Sequence, residues 1–273
     1  MCATCGCGTE HEHHDHGHDH GHDHGHDHGH DHDHGHEHAP GHDHAAPPGH
    51  AHPHQAQRRM MLEIDLLAKN ARLAGALRAR LARDRITALN LIGAPGAGKT
   101  TLLEHTLRAL PDLAIAVIEG DQATDHDARR IAATGRPVRQ VNTGTGCHLD
   151  ATMIERGLDE LAPAAGSLVL IENVGNLVCP ALFDLGERAK VVVMAVTEGE
   201  DKPLKYPHVF RAARALVLTK ADLLPHLDVD PAAFVAAARQ VNPAIDVFPV
   251  AARAGTGLGE WCGWVRAQLG GPP

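Results

Sequence analysis

Six cysteines and 25 histidines stand in this chain, and their placement is uneven. Cys2, Cys5 and Cys7 form a C-x-x-C-x-C cluster. Three thiolates at that spacing can wrap one soft or late metal ion without help from a fold. With Met1 removed, the α-amine of Cys2 would add a fourth ligand and favour square-planar Ni(II). Twenty of the 25 histidines follow between His11 and His54, interleaved with Asp and Gly. Neutral imidazoles bind Ni, Zn, Cu and Co. Many overlapping sites of this kind make a buffer for several ions rather than one defined site. Further on, Cys147 precedes His148 in NTGTGCHLD, and Cys179 ends the stretch ENVGNLVC. Each is either a buried thiol or a metal ligand. Both lie in loops that follow apolar strands, which favours the ligand reading. Cys262, between Trp261 and Gly263, reads as core.

A second chemistry is written in GAPGAGKT, which fits G-x-x-x-x-G-K-[ST] from Gly93 to Thr100. An apolar strand runs into it and an amphipathic helix runs out. Gly93, Gly96 and Gly98 let backbone amides curl around phosphate oxygens. Lys99 brings a point charge to the β/γ-phosphates, Thr100 a hydroxyl for Mg²⁺, and Thr101 continues the helix whose N-terminus faces the anion. The strand LAIAVIEGD ends at Asp121, which is either a Mg²⁺ contact or a cap for the helix in ATDHDARRIAA. The strand in SLVLIENVGN ends at Glu172, with Gly175 three residues on. This resembles the D-x-x-G switch of GTPases with Glu in place of Asp. Glu172 would hold the Mg²⁺ shell or order the attacking water, and Gly175 would donate an amide to the γ-phosphate. Thr219-Lys220-Ala221-Asp222 resembles the guanine-reading N-K-x-D. Asp222 would accept from guanine N1 and N2, and the Lys220 stem would pack on the base. Thr219 replaces the usual Asn, which weakens base affinity and leaves specificity to Asp222. Ala251-Ala252-Arg253 stands where a short S-A-K base loop is expected, and only Ala252 matches.

These groups need a scaffold, and the composition says where it begins. Residues 1–57 contain no Val, Ile, Leu, Phe, Trp or Tyr. They cannot bury enough apolar surface to offset the entropy of ordering. They are expected to form a disordered Cys/His-rich metal-binding tail, with one domain over 58–273. The tail also carries ten acids and no Lys or Arg, so of the net −9 the body holds about +1. The body therefore has no basic excess that would suggest nucleic acid. No apolar run is long enough to span a membrane. The N-terminus has no hydrophobic signal core, so a cytoplasmic, reducing location is expected. Residues 60–83 place Leu62, Leu66, Leu73, Leu77 and Leu81 at helical spacing, a leading helix. Apolar strands alternating with helices predict an α/β P-loop NTPase fold with a mainly parallel sheet.

The motifs GAPGAGKT, EGDQATDHDARRI, NTGTGCHLD, ENVGNLVCP, VTEGEDKPLKYP and TKADLLP occur in this order. Together they resemble the hydrogenase nickel-incorporation GTPases of the HypB type, from about residue 60 to the C-terminus. The cysteine cluster and His tract resemble the extensions of some members. The resemblance implies slow hydrolysis of GTP to GDP, a GTP-dependent homodimer, and delivery of Ni²⁺ to the large-subunit precursor of a [NiFe]-hydrogenase. It implies a HypA-type metallochaperone partner and a Ni/Zn site at Cys147, His148 and Cys179 near the dimer interface. The urease nickel GTPases are the nearest alternative. They typically carry Cys-Pro-His where this chain has Gly-Cys-His, and DKPLKYP favours the hydrogenase side. A nickel storage or detoxification protein is the alternative of another class.

Overall fold

The computed structural model describes residues 53–122 and 124–269. The Cys2, Cys5 and Cys7 cluster and the His tract as far as His52 lie outside the described residues. Seven strands form one sheet: β1 (Thr87–Ile92), β2 (Ile115–Asp121), β3 (Val138–Asn142), β4 (Leu168–Glu172), β5 (Ala189–Ala195), β6 (Ala213–Thr219) and β7 (Asp246–Val250). Their order is β3-β2-β4-β1-β5-β6-β7, and every neighbouring pair is parallel. Nine α-helices are described. They are α1 (Pro53–Arg83), α2 (Lys99–Ala109), α3 (His126–Ala132), α4 (Ala151–Leu161), α5 (Cys179–Leu182), α6 (Lys202–Lys205), α7 (Pro207–Ala212), α8 (Pro231–Val241) and α9 (Leu258–Ala267).

The central strands are nearly continuous apolar runs because helices cover both faces. All five residues of β4 are buried, and so are all but Lys190 of β5. On one side Leu102, Leu103 and Leu107 of α2 and Trp261 of α9 pack on Leu89, Leu91, Leu170 and Val191. On the other, α7 and α8 bring Phe210 and Phe234 to Val192 and Leu216. Beside them Leu77 and Leu81 of α1 and Ile154 and Leu158 of α4 cover Ala88, Val169 and Ile171. The parallel α/β architecture is the one the sequence predicts. Among the described residues no helix is long and apolar enough to cross a membrane.

The leading helix differs from the expectation. It is longer, 31 residues from Pro53, and a proline is well tolerated in a first helical turn. Its apolar residues also divide. Leu77 and Leu81 are 2% and 3% exposed, whereas Leu62 and Leu66 are 62% and 52% exposed. Helical spacing reports that a face exists; it does not say how far a neighbour extends along it.

Leu77→Ala should therefore cost about 2–5 kcal/mol in denaturant unfolding. Leu62→Ala should stay within about 0.5 kcal/mol. Equal losses at the two positions would contradict a helix docked only by its C-terminal half.

Candidate functional site

Parallel strands send all their C-terminal ends to one edge, and loops at that edge carry the chemistry. β1 ends at Ile92 and turns at Gly93, where an added Cβ would meet the Val193 carbonyl oxygen at 2.3 Å. The turn closes through Gly98, whose φ of 92° is open to glycine and strained for other residues. α2 begins at the next residue, so its amides face the cleft. Beside the loop lies a cleft of about 490 Å³ lined by Gly96, Gly98, Lys99, Thr100, Thr101, Glu119, Asp121, Asp127, Arg130, Glu172, Gly175 and Lys220, among others. A larger cleft of about 690 Å³ opens at the opposite strand ends, between Asp184, Lys190, Arg214 and Asp246. Its charges are mixed and none of the motif residues reaches it.

Two carboxylates define the first cleft. Glu119 and Glu172 are register partners on β2 and β4, so their side chains share one face. They are 2% and 3% exposed. Thr100 Oγ1 donates to Glu172 Oε1 at 2.7 Å. Glu119 Oε2 and Glu172 Oε2 are buried and accept no hydrogen bond. Burial, and then the Glu172 charge, push Glu119 up to about 8. Burial pushes Glu172 up to about 7, with Lys99 and the Thr100 hydrogen bond opposing. Lys99 Nζ donates to the Gly93 and Ala94 carbonyls at 3.2 and 3.3 Å. Burial holds its ammonium below the ordinary lysine range. Two hard carboxylate oxygens beside a hydroxyl are a donor set that suits Mg²⁺.

Asp121 also lines this cleft, and its carboxylate closes the following turn. It accepts from the Gln122 amide at 2.7 Å and from the Thr124 amide and hydroxyl at 3.1 and 2.6 Å. Sequence reasoning missed Glu119, Asp127 and Arg130. Strand parity carries the first, because Glu119 stands two residues before Asp121 and faces the same way. Helical spacing carries the other two. Arg130 donates to Asp127 Oδ1 at 3.0 Å, Glu104 Oε2 at 2.7 Å and Thr101 Oγ1 at 3.1 Å.

The residues expected to read a base meet in an adjoining pocket of about 330 Å³ lined by Gly98, Thr101, Thr219, Lys220, Asp222, Leu223, Ala252 and Arg253. Thr219 is 3% exposed. Its hydroxyl donates to the Ala97 carbonyl at 2.5 Å and approaches the Met194 carbonyl at 3.4 Å. It therefore ties β6 to the phosphate loop. Lys220 has φ of 56°, a left-handed conformation uncommon outside glycine.

Cys147, His148 and Cys179 come together. Their ligand atoms lie within 4.8 Å of one another, the one such group among the described residues. The two sulfurs are 2.8 Å apart, and Cys147 Sγ lies 3.6 Å from His148 Nδ1. Both cysteines are buried. The His148 ring stacks on Phe183 at 3.7 Å between centroids. Burial pushes its pKa down, toward the neutral form that binds metals. Soft sulfur and imidazole suit nickel and zinc alike.

The buried acids set a pH dependence. Glu119 and Glu172 have folded pKa values raised from 4.5 to about 8 and about 7. The stability they contribute is complete below the unfolded value and is lost as pH rises through those two values. The melting temperature without nucleotide or divalent ion should fall between about pH 5 and 9. Glu119→Gln should remove the upper part of that fall. A wild-type melting temperature that is flat over this range would contradict the assignment.

The family model described as CobW/HypB/UreG, nucleotide-binding domain, matches residues 87–249. The hydrogenase maturation factor HypB of Azotobacter chroococcum mcd 1 is 56% identical over 220 residues, covering 80% of this chain and 72% of its own. The crystal structure of HypB from Helicobacter pylori in complex with nickel superposes with a TM-score of 0.70 at 32% identity, covering 74% of this chain and 95% of its own. Hydrogenase maturation factor HypB from Archaeoglobus fulgidus gives 0.69 at 37% identity, covering 74% and 99%. A phosphate loop at one strand edge, a Cys/His trio beside it and identity on this scale agree: the chain belongs to the CobW/HypB/UreG family and, within it, to the hydrogenase maturation factors of the HypB type.

Proposed function

We propose that the protein is a GTP-hydrolysing nickel metallochaperone, a cytoplasmic homodimer that delivers Ni²⁺ during maturation of a [NiFe]-hydrogenase. The observation that carries this reading is the meeting of two sites on one segment. Glu172, in contact with Thr100, and Cys179, in contact with Cys147, are the two ends of ENVGNLVC. Anything that moves that segment is felt at both.

In this mechanism Lys99 and the α2 amides hold the β/γ-phosphates, and Thr101 lies in that first turn. Thr100 and Glu172, with Asp121 at the rim, are the residues that would hold Mg²⁺. That ion would neutralise phosphate charge as the terminal bond is broken. Gly175 follows Glu172 on the loop that reads the γ-phosphate. Asp222 accepts from guanine N1 and N2, a donor pair adenine lacks. Hydrolysis is slow, on the order of 10⁻⁴ to 10⁻³ s⁻¹ for a switch without an arginine finger. GTP turnover then times the transfer. Nickel is cargo: Cys2, Cys5, Cys7 and the His tract collect it, and tethering raises its local concentration at Cys147, His148 and Cys179. Zinc competes for the same trio. The partners are a HypA-type metallochaperone and the hydrogenase large-subunit precursor.

The test is a Ni²⁺ titration of the full chain carrying Cys2→Ser, Cys5→Ser and Cys7→Ser, followed by thiolate-to-nickel absorption. Affinity should differ between GDP and a non-hydrolysable GTP analogue by roughly 5–150-fold. Cys179→Ala should abolish that difference and leave GTP binding. Identical nickel retention in both states would favour storage over delivery. Asp222→Asn should weaken GDP binding by roughly 10- to 100-fold, the scale of a lost charge-assisted hydrogen bond. Unchanged affinity in competition with ADP would remove Asp222 from base reading.

A further inference from the structure

Asn90 lies in the middle of β1, where Ala88, Leu89, Leu91 and Ile92 are all buried and apolar. A fully buried amide in such a strand is costly unless every polar atom is engaged. Its partners explain its presence. Asn90 Oδ1 accepts from Asn173 Nδ2 at 3.2 Å, and Asn90 Nδ2 donates to Glu187 Oε1 at 3.1 Å. Asn173 directly follows Glu172 and is 1% exposed. Its Oδ1 accepts from the Leu149 amide at 3.3 Å, next to His148. At the other end, Glu187 pairs with Lys190 at 3.8 Å. Lys190 Nζ donates to the Ala181 and Phe183 carbonyls at 2.9 and 3.0 Å. Those carbonyls belong to the segment that starts at Cys179 and carries Phe183, the ring stacked on His148.

The chain Asn173–Asn90–Glu187–Lys190 thus begins at the loop of Cys147 and His148 and ends at the helix of Cys179. Its hub is the neighbour of the carboxylate that holds Thr100. We propose that this buried relay is the element through which the nucleotide site positions the two halves of the metal trio. Asn173 and Asn90 are its positioning residues. The inference rests on the nucleotide-gated metal site proposed above. A shift of Glu172 would carry Asn173 with it and change the hydrogen bond to Leu149. It would also pull on Asn90, and through Glu187 and Lys190 on the carbonyls that fix Cys179. Buried polar networks are suited to this because their members have few alternative partners.

Asn70 supplies the control. It bridges the same two segments, accepting from the Ala151 amide at 2.9 Å and donating to the Asp184 carbonyl at 2.7 Å, but forms no hydrogen bond with Asn173, Asn90, Glu187 or Lys190. Asn70→Ala should loosen the trio equally in both nucleotide states. Asn90→Val cuts the relay without touching either site. In the nickel titration of the full chain lacking Cys2, Cys5 and Cys7, the ratio of Ni²⁺ affinities between GTP-analogue and GDP states should collapse to near one in Asn90→Val. It should persist in Asn70→Ala. Should Asn90→Val fail to fold, Glu187→Gln keeps the shape, breaks the pairing with Lys190, and should lower the ratio severalfold. A ratio unchanged in every relay variant that folds would overturn the relay alone. An equal fall in Asn70→Ala would mean general loosening and would also overturn it. A wild-type ratio of one would overturn the relay together with nucleotide-gated delivery.

Discussion

The hydrogen bond from Thr100 to Glu172 sets the terms for the rest of the molecule. It joins the first turn of α2 to the end of β4, residues 72 apart in sequence. That contact requires β4 to lie directly beside β1 with Leu91 opposite Glu172. The register places Glu119 across from Glu172 on the next strand. It also aligns the loop after β4 with the loop after β1, where Gly93 bridges to Asn176. Because side chains alternate along a strand, moving β4 by one residue would turn Glu172 to the opposite face. The acidic pair, the phosphate loop and the path to Cys179 would be lost together.

Burial gives this edge its electrostatic character. Glu119 and Glu172 sit on strands whose other buried side chains are apolar. A low-dielectric setting raises the cost of their charges and strengthens their pull on a cation. Lys99 attracts both, but one ammonium charge cannot neutralise two carboxylates. The metal trio is built differently. Its donors are soft sulfurs and an imidazole, and Phe183 screens one face of His148. Hard oxygen donors and soft donors thus stand at two ends of one loop, and donor sets of these two kinds suit different ions.

Much of this was legible in the sequence. The phosphate loop needs particular residues at fixed spacing, so eight letters suffice to read it. Glu172, Asp222 and the two cysteine loops followed from strand ends, because a parallel sheet sends every strand end to one edge. Asp121 ends β2 and lines the cleft, while its hydrogen bonds to residues 122 and 124 needed coordinates. Asn90 was illegible for a physical reason. Its partners lie 83 and 97 residues away, and a lone Asn in an apolar run carries no periodic signal. The undocked half of α1 was hidden similarly: Leu62 keeps helical spacing with Leu77, and only the length of the neighbouring elements decides which is covered.

Thr219 has a consequence for how the cleft receives a ligand. The usual Asn at this position is absent, and the threonine hydroxyl holds the Ala97 carbonyl beneath the phosphate loop. Gly98 lies against the same side chain, its Cβ position 3.5 Å from the hydroxyl. The loop is thereby anchored to β6 by a contact made within the fold itself. Rigidity acquired in advance lowers the ordering entropy of association. A cradle held by the fold in this way would leave less chain to order when a phosphate group enters it.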